Sequence, residues 1–440
     1  MKRKSFPSVT LALGLIAGTL FAAPTEEREW TSTAGTKIRA MANAVADGEV
    51  ELKTADGRVL KVPLDKLVAT DREMLESHFE MAVSDTVGEG AAMAGGSGGE
   101  AASGLAHPLG AISGPISTPG DKSQYLVYLP QTLVEGRKAP VILYTGPGGG
   151  GKAIVNDFVP GAELCGWIVA CSMNSRNGQD FPENHEYCED SLKHLFETLP
   201  IDEDRVYFSG SSGGGATCLY NAGRIKHAGA MPMAAYMPGS TSVSGGNYFF
   251  INGATDYNRY TSANAVKNFG DASIQRFHPG GHGGKKDPTL FTEGMVWLNG
   301  RYLADEKNGS DDERLDYEAA VIEWIEQLKG SEPWRAYALA LFLKEEYGIS
   351  SANTGAVEAV VSDLGGDVAN VQYADGLKAI DDFARKEFGD MGTGSKSEHT
   401  TAGIQSAARK LASEYSQASK IVEIANALAE PTVPIGGKKK

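Results

Sequence analysis

The 440-residue sequence predicts an α/β fold: a largely parallel sheet with helices on both faces, preceded by a small β-barrel and followed by a helical bundle. Three observations predict it. Apolar strand patterns and helical patterns alternate between residues 120 and 303. Short alternating runs flank Asp56-Gly57 near the start, and beyond Leu303 the apolar spacing is helical alone.

Composition suits a folded, soluble chain. Hydrophobic residues make up 41% and charged residues 22%, while 54 glycines call for loops or linkers. The net charge of -15 argues against nucleic acid, because phosphate backbones are bound by clustered Lys and Arg. The longest basic run here is Lys438, Lys439 and Lys440, in a tail over residues 431–440 that reads as solvated.

Residues 1–23 read as a signal peptide: a basic start (Lys2, Arg3, Lys4), an apolar stretch from about Val9 to Phe21, then small Ala22 and Ala23. The alternative is an uncleaved anchor, since Leu20 or Phe21 stands where a small residue is preferred, although the stretch is short for a span. Later segments lack the apolar length to cross a bilayer. The mature protein is therefore expected to be secreted or periplasmic, with no membrane span after signal removal.

Residues 28–82 follow as a small β unit. V-E-L-K-T (residues 50–54) and R-V-L-K-V-P-L (residues 58–64) flank the Asp56-Gly57 turn signal. With Trp30 at its start and Val62-Pro63-Leu64 at its end, the unit resembles the endocytic-adaptor homology domain family, an SH3-like barrel. The resemblance leaves a protein partner through this barrel as one possible role, but its motifs are structural and mark no pocket. Residues 83–119 then turn to Gly, Ala and Ser, including AAMAGGSGGEAASG, and read as a flexible linker.

The central domain is expected over residues 120–303, with strands near 124–129, 140–145, 167–173, 205–209, 228–236, 248–251 and 273–277. A C-terminal helical region is expected over residues 304–430. Leu315, Ala319, Ile322 and Ile325 recur at helical spacing, Ser331-Glu332-Pro333 begins another helix over 334–347, and residues 401–428 repeat the amphipathic pattern. These helices either pack on the sheet or stand alone. The four cysteines, Cys165, Cys171, Cys188 and Cys218, lie in one region; export permits disulfides, three full pairings are open, and buried thiols are an equal alternative. No C-x-x-C spacing suggests zinc, and neither metal nor cofactor is expected.

Chemistry concentrates in R-V-Y-F-S-G-S-S-G-G-G-A-T-C-L-Y. It holds G-x-S-x-G as Gly210, Ser211, Ser212, Gly213 and Gly214. The bare motif recurs at residues 95–99, in the linker, without a strand before it or a helix after it. Ser212 has both, which is the strand-turn-helix context of a nucleophile elbow. The alternative is a serine in a Gly-rich helix start or phosphate loop; no Lys follows in the P-loop position. An acid and a histidine then appear in the chain order this elbow uses. Asp256 lies just past a strand end in Y-F-F-I-N-G-A-T-D-Y, with a turn or cap role as its alternative and Asp271 as rival acid. His282 lies in F-H-P-G-G-H-G-G, where His278, nearer the strand end, reads as structural.

Gly213, following the nucleophile, supplies one expected oxyanion donor. The second should come from Thr145-Gly146-Pro147-Gly148-Gly149. Here residues 124–298 resemble secreted α/β-hydrolase esterases, including polyester depolymerases and feruloyl esterases, which carry His-Gly-x-Gly at this point. Thr145 replaces that His and Pro147 has no N–H, so Gly148 or Gly149 must donate. The resemblance implies an exported serine hydrolase acting on a small or polymeric ester through Ser212, His282 and Asp256. The alternative is a non-catalytic hydrolase-fold scaffold using the barrel and the C-terminal helices.

Overall fold

The computed structural model describes residues 27–32, 36–46, 49–55, 57–68, 71, 75, 105–239, 241–282, 287–390 and 401–432. The expected signal peptide, Asp56, most of the expected linker and the lysine tail lie outside them. The chain divides into two units, residues 1–89 and residues 90–440.

The first unit is an antiparallel sheet in the order β1 (Arg28–Thr31), β2 (Lys37–Ala46), β3 (Glu49–Lys53) and β4 (Val59–Pro63). Alternation along β3 turns Val50 and Leu52 inward onto Trp30, Ala40, Ala42, Leu67 and Leu75. Trp30 Nε1 donates to Ala40 O at 2.9 Å, so the indole is buried with its polar atom paired. Gly57 adopts φ +86°, and its N–H donates to Thr54 O, which closes the β3–β4 hairpin where the turn signal lies. After β4 a single 3₁₀ turn leads to a bridge between Leu67 and Ser32, linking the far edge back to β1.

The second unit is built on an eight-stranded sheet in the order β12-β11-β10-β9-β7-β8-β6-β5. Its strands are β5 (Ile112–Ser117), β6 (Gln124–Tyr128), β7 (Ala139–Thr145), β8 (Ile168–Ser172), β9 (Ile201–Ser211), β10 (Gly229–Met233), β11 (Asn247–Gly253) and β12 (Ser273–His278). Pairing is parallel except at β6, which runs against both neighbours. This mixed sheet with helices fits the α/β-hydrolase expectation. Helices α1 (Lys152–Cys165) and α5 (Pro288–Leu303) cover one face through Phe158, Phe291 and Met295. Helices α2 (Phe181–Thr198), α3 (Gly213–Ala222) and α4 (Arg259–Phe269) cover the other through Leu192, Leu195, Leu219 and Val266.

One expectation needs correction. The linker was expected to run through residue 119, but β5 occupies Ile112–Ser117 and pairs with β6 at the sheet edge. Its I-S-G-P-I-S sequence looks like linker because an edge strand needs only one ladder, and Pro115 costs nothing on a side with no partner. Ile112 and Ile116 anchor it from opposite faces.

The C-terminal helices pack on the helical layer over the sheet and against its β12 edge. They are α6 (Asp311–Leu328), α7 (Pro333–Leu341) with a π-helical extension over Phe342–Tyr347, α8 (Thr354–Leu364), α9 (Val368–Glu387), α10 (Ala402–Glu414) and α11 (Ser419–Leu428). The amphipathic run 401–428 is thus two helices, broken between Glu414 and Ser419. Tyr317, Val321, Ile325, Leu339 and Leu343 extend the apolar layer over α1 and α5. Tyr373, Ile380, Phe383 and Ile421 form a further cluster with Ala254, Tyr260 and Phe277 beside β11 and β12.

Candidate active site

The site forms where β9 gives way to α3. Ser212 sits between them at φ +54°, ψ −121°, a region an L residue occupies at a cost of about 1–3 kcal/mol. Glycines make the turn possible. A Cβ on Gly210 would lie 2.6 Å from Thr145 O, and one on Gly214 2.7 Å from Thr145 C. Ser212 N donates to Met233 O at 2.9 Å, and Ser212 O accepts the first helical bond, from Ala216 N. The strained turn is thereby held from both sides and lifts the hydroxyl off the carboxyl edge of the sheet.

Asp256 and His282 come from the two loops that follow β11 and β12. These strands are parallel neighbours, and the pairing continues past their ends: Ala254 N donates to His278 O at 2.8 Å and Thr255 N to Gly280 O at 3.1 Å. Gly253 has no room for a Cβ, which would overlap the carbonyls of Gly280 and Gly281. The close approach sets acid beside base. His282 Nδ1 lies 3.0 Å from Asp256 Oδ1, and His282 Nε2 lies 2.7 Å from Ser212 Oγ. Asp256 is fully buried, and its Oδ1 also accepts from Asn258 N at 2.8 Å. The turn role considered for Asp256 and its place against the histidine thus coexist in one carboxylate.

The rivals lie elsewhere. Asp271 is exposed in the 3₁₀ turn that precedes β12, at the end of the strand away from Ser212. His278 Nδ1 accepts from Gly280 N, a structural bond inside its own loop.

Gly213 opens α3, where the first N–H groups of a helix have no helical acceptor. Gly148 forms an isolated antiparallel bridge with Arg176, beside a bond from Asn177 N to Pro147 O. Gly149, at φ +95°, lies close against Met173 O. Thr145, where the resemblance expects histidine, is buried and donates to Gly214 O at 2.7 Å, clamping the elbow from behind.

Three neighbours of the site escaped the sequence reading. Asn177 places its carboxamide oxygen against Gly213 Cα, where any Cβ would overlap it. Tyr257 Oη lies 2.8 Å from His282 Nε2. Tyr236, exposed, borders the cleft at Ser212 together with Phe181 and Tyr220, whose rings stack at 5.3 Å. Each follows a strand end in sequence, the signal that could have found them. The cleft encloses about 550 Å³.

All four cysteines are free, and burial pushes the thiols of Cys171 and Cys188 up to about 12. Among the described residues, no helix is long and apolar enough to cross a membrane.

Neither a protein-family model nor a curated protein sequence matches the chain. Solved structures overlap part of it. An esterase from Pyrobaculum calidifontis is 13% identical with a TM-score of 0.36, covering 44% of this chain and 87% of its own. FphF, a fluorophosphonate-binding serine hydrolase of Staphylococcus aureus, is 12% identical with a TM-score of 0.32, covering 40% of this chain and 92% of its own. Est1E from Butyrivibrio proteoclasticus is 12% identical with a TM-score of 0.34, covering 42% and 96%. At these scores the overlap carries no functional argument, which rests on the site itself.

Proposed function

We propose that this chain is a serine hydrolase that cleaves carboxylic esters. One observation carries the reading: Ser212 Oγ, His282 and Asp256 form an unbroken hydrogen-bonded series of 2.7 and 3.0 Å at the mouth of an open cleft. With Nδ1–H donated to Asp256, Nε2 of the neutral ring accepts from the serine hydroxyl. Ser212 attacks the acyl carbon as His282 takes its proton. The carboxylate steadies the imidazolium without itself being protonated, and water repeats the sequence on the acyl-enzyme.

Gly213 N–H is the first oxyanion donor in this reading, with Gly148 or Gly149 as the second. The short interval between Ser212 and Asp256 leaves the cleft without a lid insertion, which favours short or polymeric esters. The basic, then apolar, then small opening residues support export to the periplasm or medium, and the Leu67–Ser32 bridge supports an SH3-like barrel in the first unit.

A fluorophosphonate probe tests the proposal. Wild-type protein should label at Ser212 and hydrolyse p-nitrophenyl acetate. Ser212→Ala should abolish labelling and lower kcat by about 10⁴-fold or more while melting unchanged. A wild-type chain that neither labels nor hydrolyses would hand the case to the scaffold alternative.

A further inference from the structure

His282 Nε2 has two hydroxyls within hydrogen-bond distance. Ser212 Oγ is at 2.7 Å and Tyr257 Oη at 2.8 Å, and the tyrosine ring leans over the imidazole with centroids 4.3 Å apart at 34°. A neutral imidazole has a single lone pair at Nε2. In acylation that nitrogen first takes the serine proton and must then pass a proton to the departing alcohol, whose oxygen therefore has to reach a second position around Nε2. In this protein Tyr257 Oη lies 2.8 Å from Nε2, beside Ser212 Oγ.

We propose that Tyr257 is a further catalytic residue, relaying the proton from His282 to the leaving-group oxygen. The inference rests on the hydrolase reading above. When the tetrahedral intermediate collapses, the bond from carbon to the leaving oxygen breaks and its electron pair stays on that oxygen. The leaving oxygen takes the phenolic proton of Tyr257, while Tyr257 Oη takes the proton from Nε2. Histidine and tyrosine both end neutral, the carbonyl re-forms, and the acyl group remains on Ser212. In deacylation the same path runs in reverse, from the attacking water through Tyr257 to Nε2. Burial, ahead of the neighbouring Asp256 charge, holds the phenol well above its ordinary pKa, so it starts protonated and acts only as a pass-through.

The position has a consequence that a packing role lacks. A p-nitrophenolate ion departs without a proton, whereas an alkoxide does not. Tyr257→Phe keeps the ring and removes the relay. For this variant, kcat/KM for ethyl acetate should fall by about 10²-fold, while p-nitrophenyl acetate stays within about threefold of wild type. Across a series of acetate esters, the dependence of log kcat/KM on the leaving alcohol's pKa should steepen. Fluorophosphonate labelling of Ser212 and the melting temperature should hold, since fluoride leaves unaided. An equal loss for all leaving groups, no loss for the alkyl ester, or a gain for both esters would overturn the relay. A wild-type chain that is unlabelled and inert toward both esters overturns the hydrolase reading itself, and this one with it.

Discussion

Gly214 has no free space on its Cα, because Thr145 fills the place where a side chain would begin. Gly214→Ala pushes backbone against backbone, and about 3 kcal/mol or more of stability should be lost together with labelling at Ser212. Gly148 offers the contrast: nothing lies within 4 Å of a Cβ built there, and alanine keeps the N–H, so Gly148→Ala should retain both melting temperature and turnover. His227 makes a pH-dependent case. Burial holds its pKa below 6.5, outweighing the backbone hydrogen bonds, which act the other way. A base depressed in the fold takes up its proton at higher pH once unfolded, so its contribution is complete above that value and lost as pH falls through the folded pKa. Melting temperatures at pH 7 and pH 5 should differ less in His227→Gln than in wild type. At this scale the sequence told most about the elbow, because Gly210, Gly214 and a flanking strand and helix are a local pattern. Tyr257 and Asn177 carry only their place after a strand end, which many residues share. A tyrosine after an aspartate is ordinary until the fold brings His282 across from another loop.

Elements were legible in proportion to how locally they are stabilised. Strands β7 and β8 are continuous, mostly apolar runs buried on both faces, as is the 206–208 stretch of β9, and such runs announce themselves. Strand β5 does not, since a one-sided ladder tolerates glycine and proline. Nor do the long-range ties of the C-terminal helices have a sequence signature. Asp381 on α9 accepts from Gln275 N at 3.1 Å, and Arg385 donates to Ser273 O and Val266 O, so polar side chains cover the outer edge of β12. Arg335 on α7 binds Glu332 at 2.7 Å, Glu293 at 2.8 Å and Asp287 at 3.0 Å, and Arg276 on β12 meets Glu293 at 2.9 Å. Arg335 and Glu293, buried at the centre of this network, join α7 to α5 and the sheet. Arg335→Met should leave Glu293 short of a partner and cost about 3–5 kcal/mol, read from a urea midpoint that shifts without a change in slope.

At the scale of the molecule, the sheet and the C-terminal helices belong to one compact unit while residues 1–89 belong to another. A chain beginning at Leu105 should keep whatever ester hydrolysis the full chain shows. One beginning at Gly120 removes β5, bares the edge of β6, and should recover less soluble protein with lower activity per mole. Ending the chain at Leu303 strips the cover from Phe291, Met295 and Val296 and should give insoluble material. The division between an α/β part and a helical part was plain in the spacing of apolar residues. That the two share their interior was not, because periodicity reports that a face is apolar without naming what it meets.

Arg259, buried five residues past Ala254, donates to Ala254 O and to the carbonyls of Leu428 and Glu430. The loop that carries Asp256 is therefore clasped by carbonyls 169 and 171 positions further along the chain. Premature stops or proteolytic trimming ahead of Leu428 should silence turnover even though every residue of the centre is present.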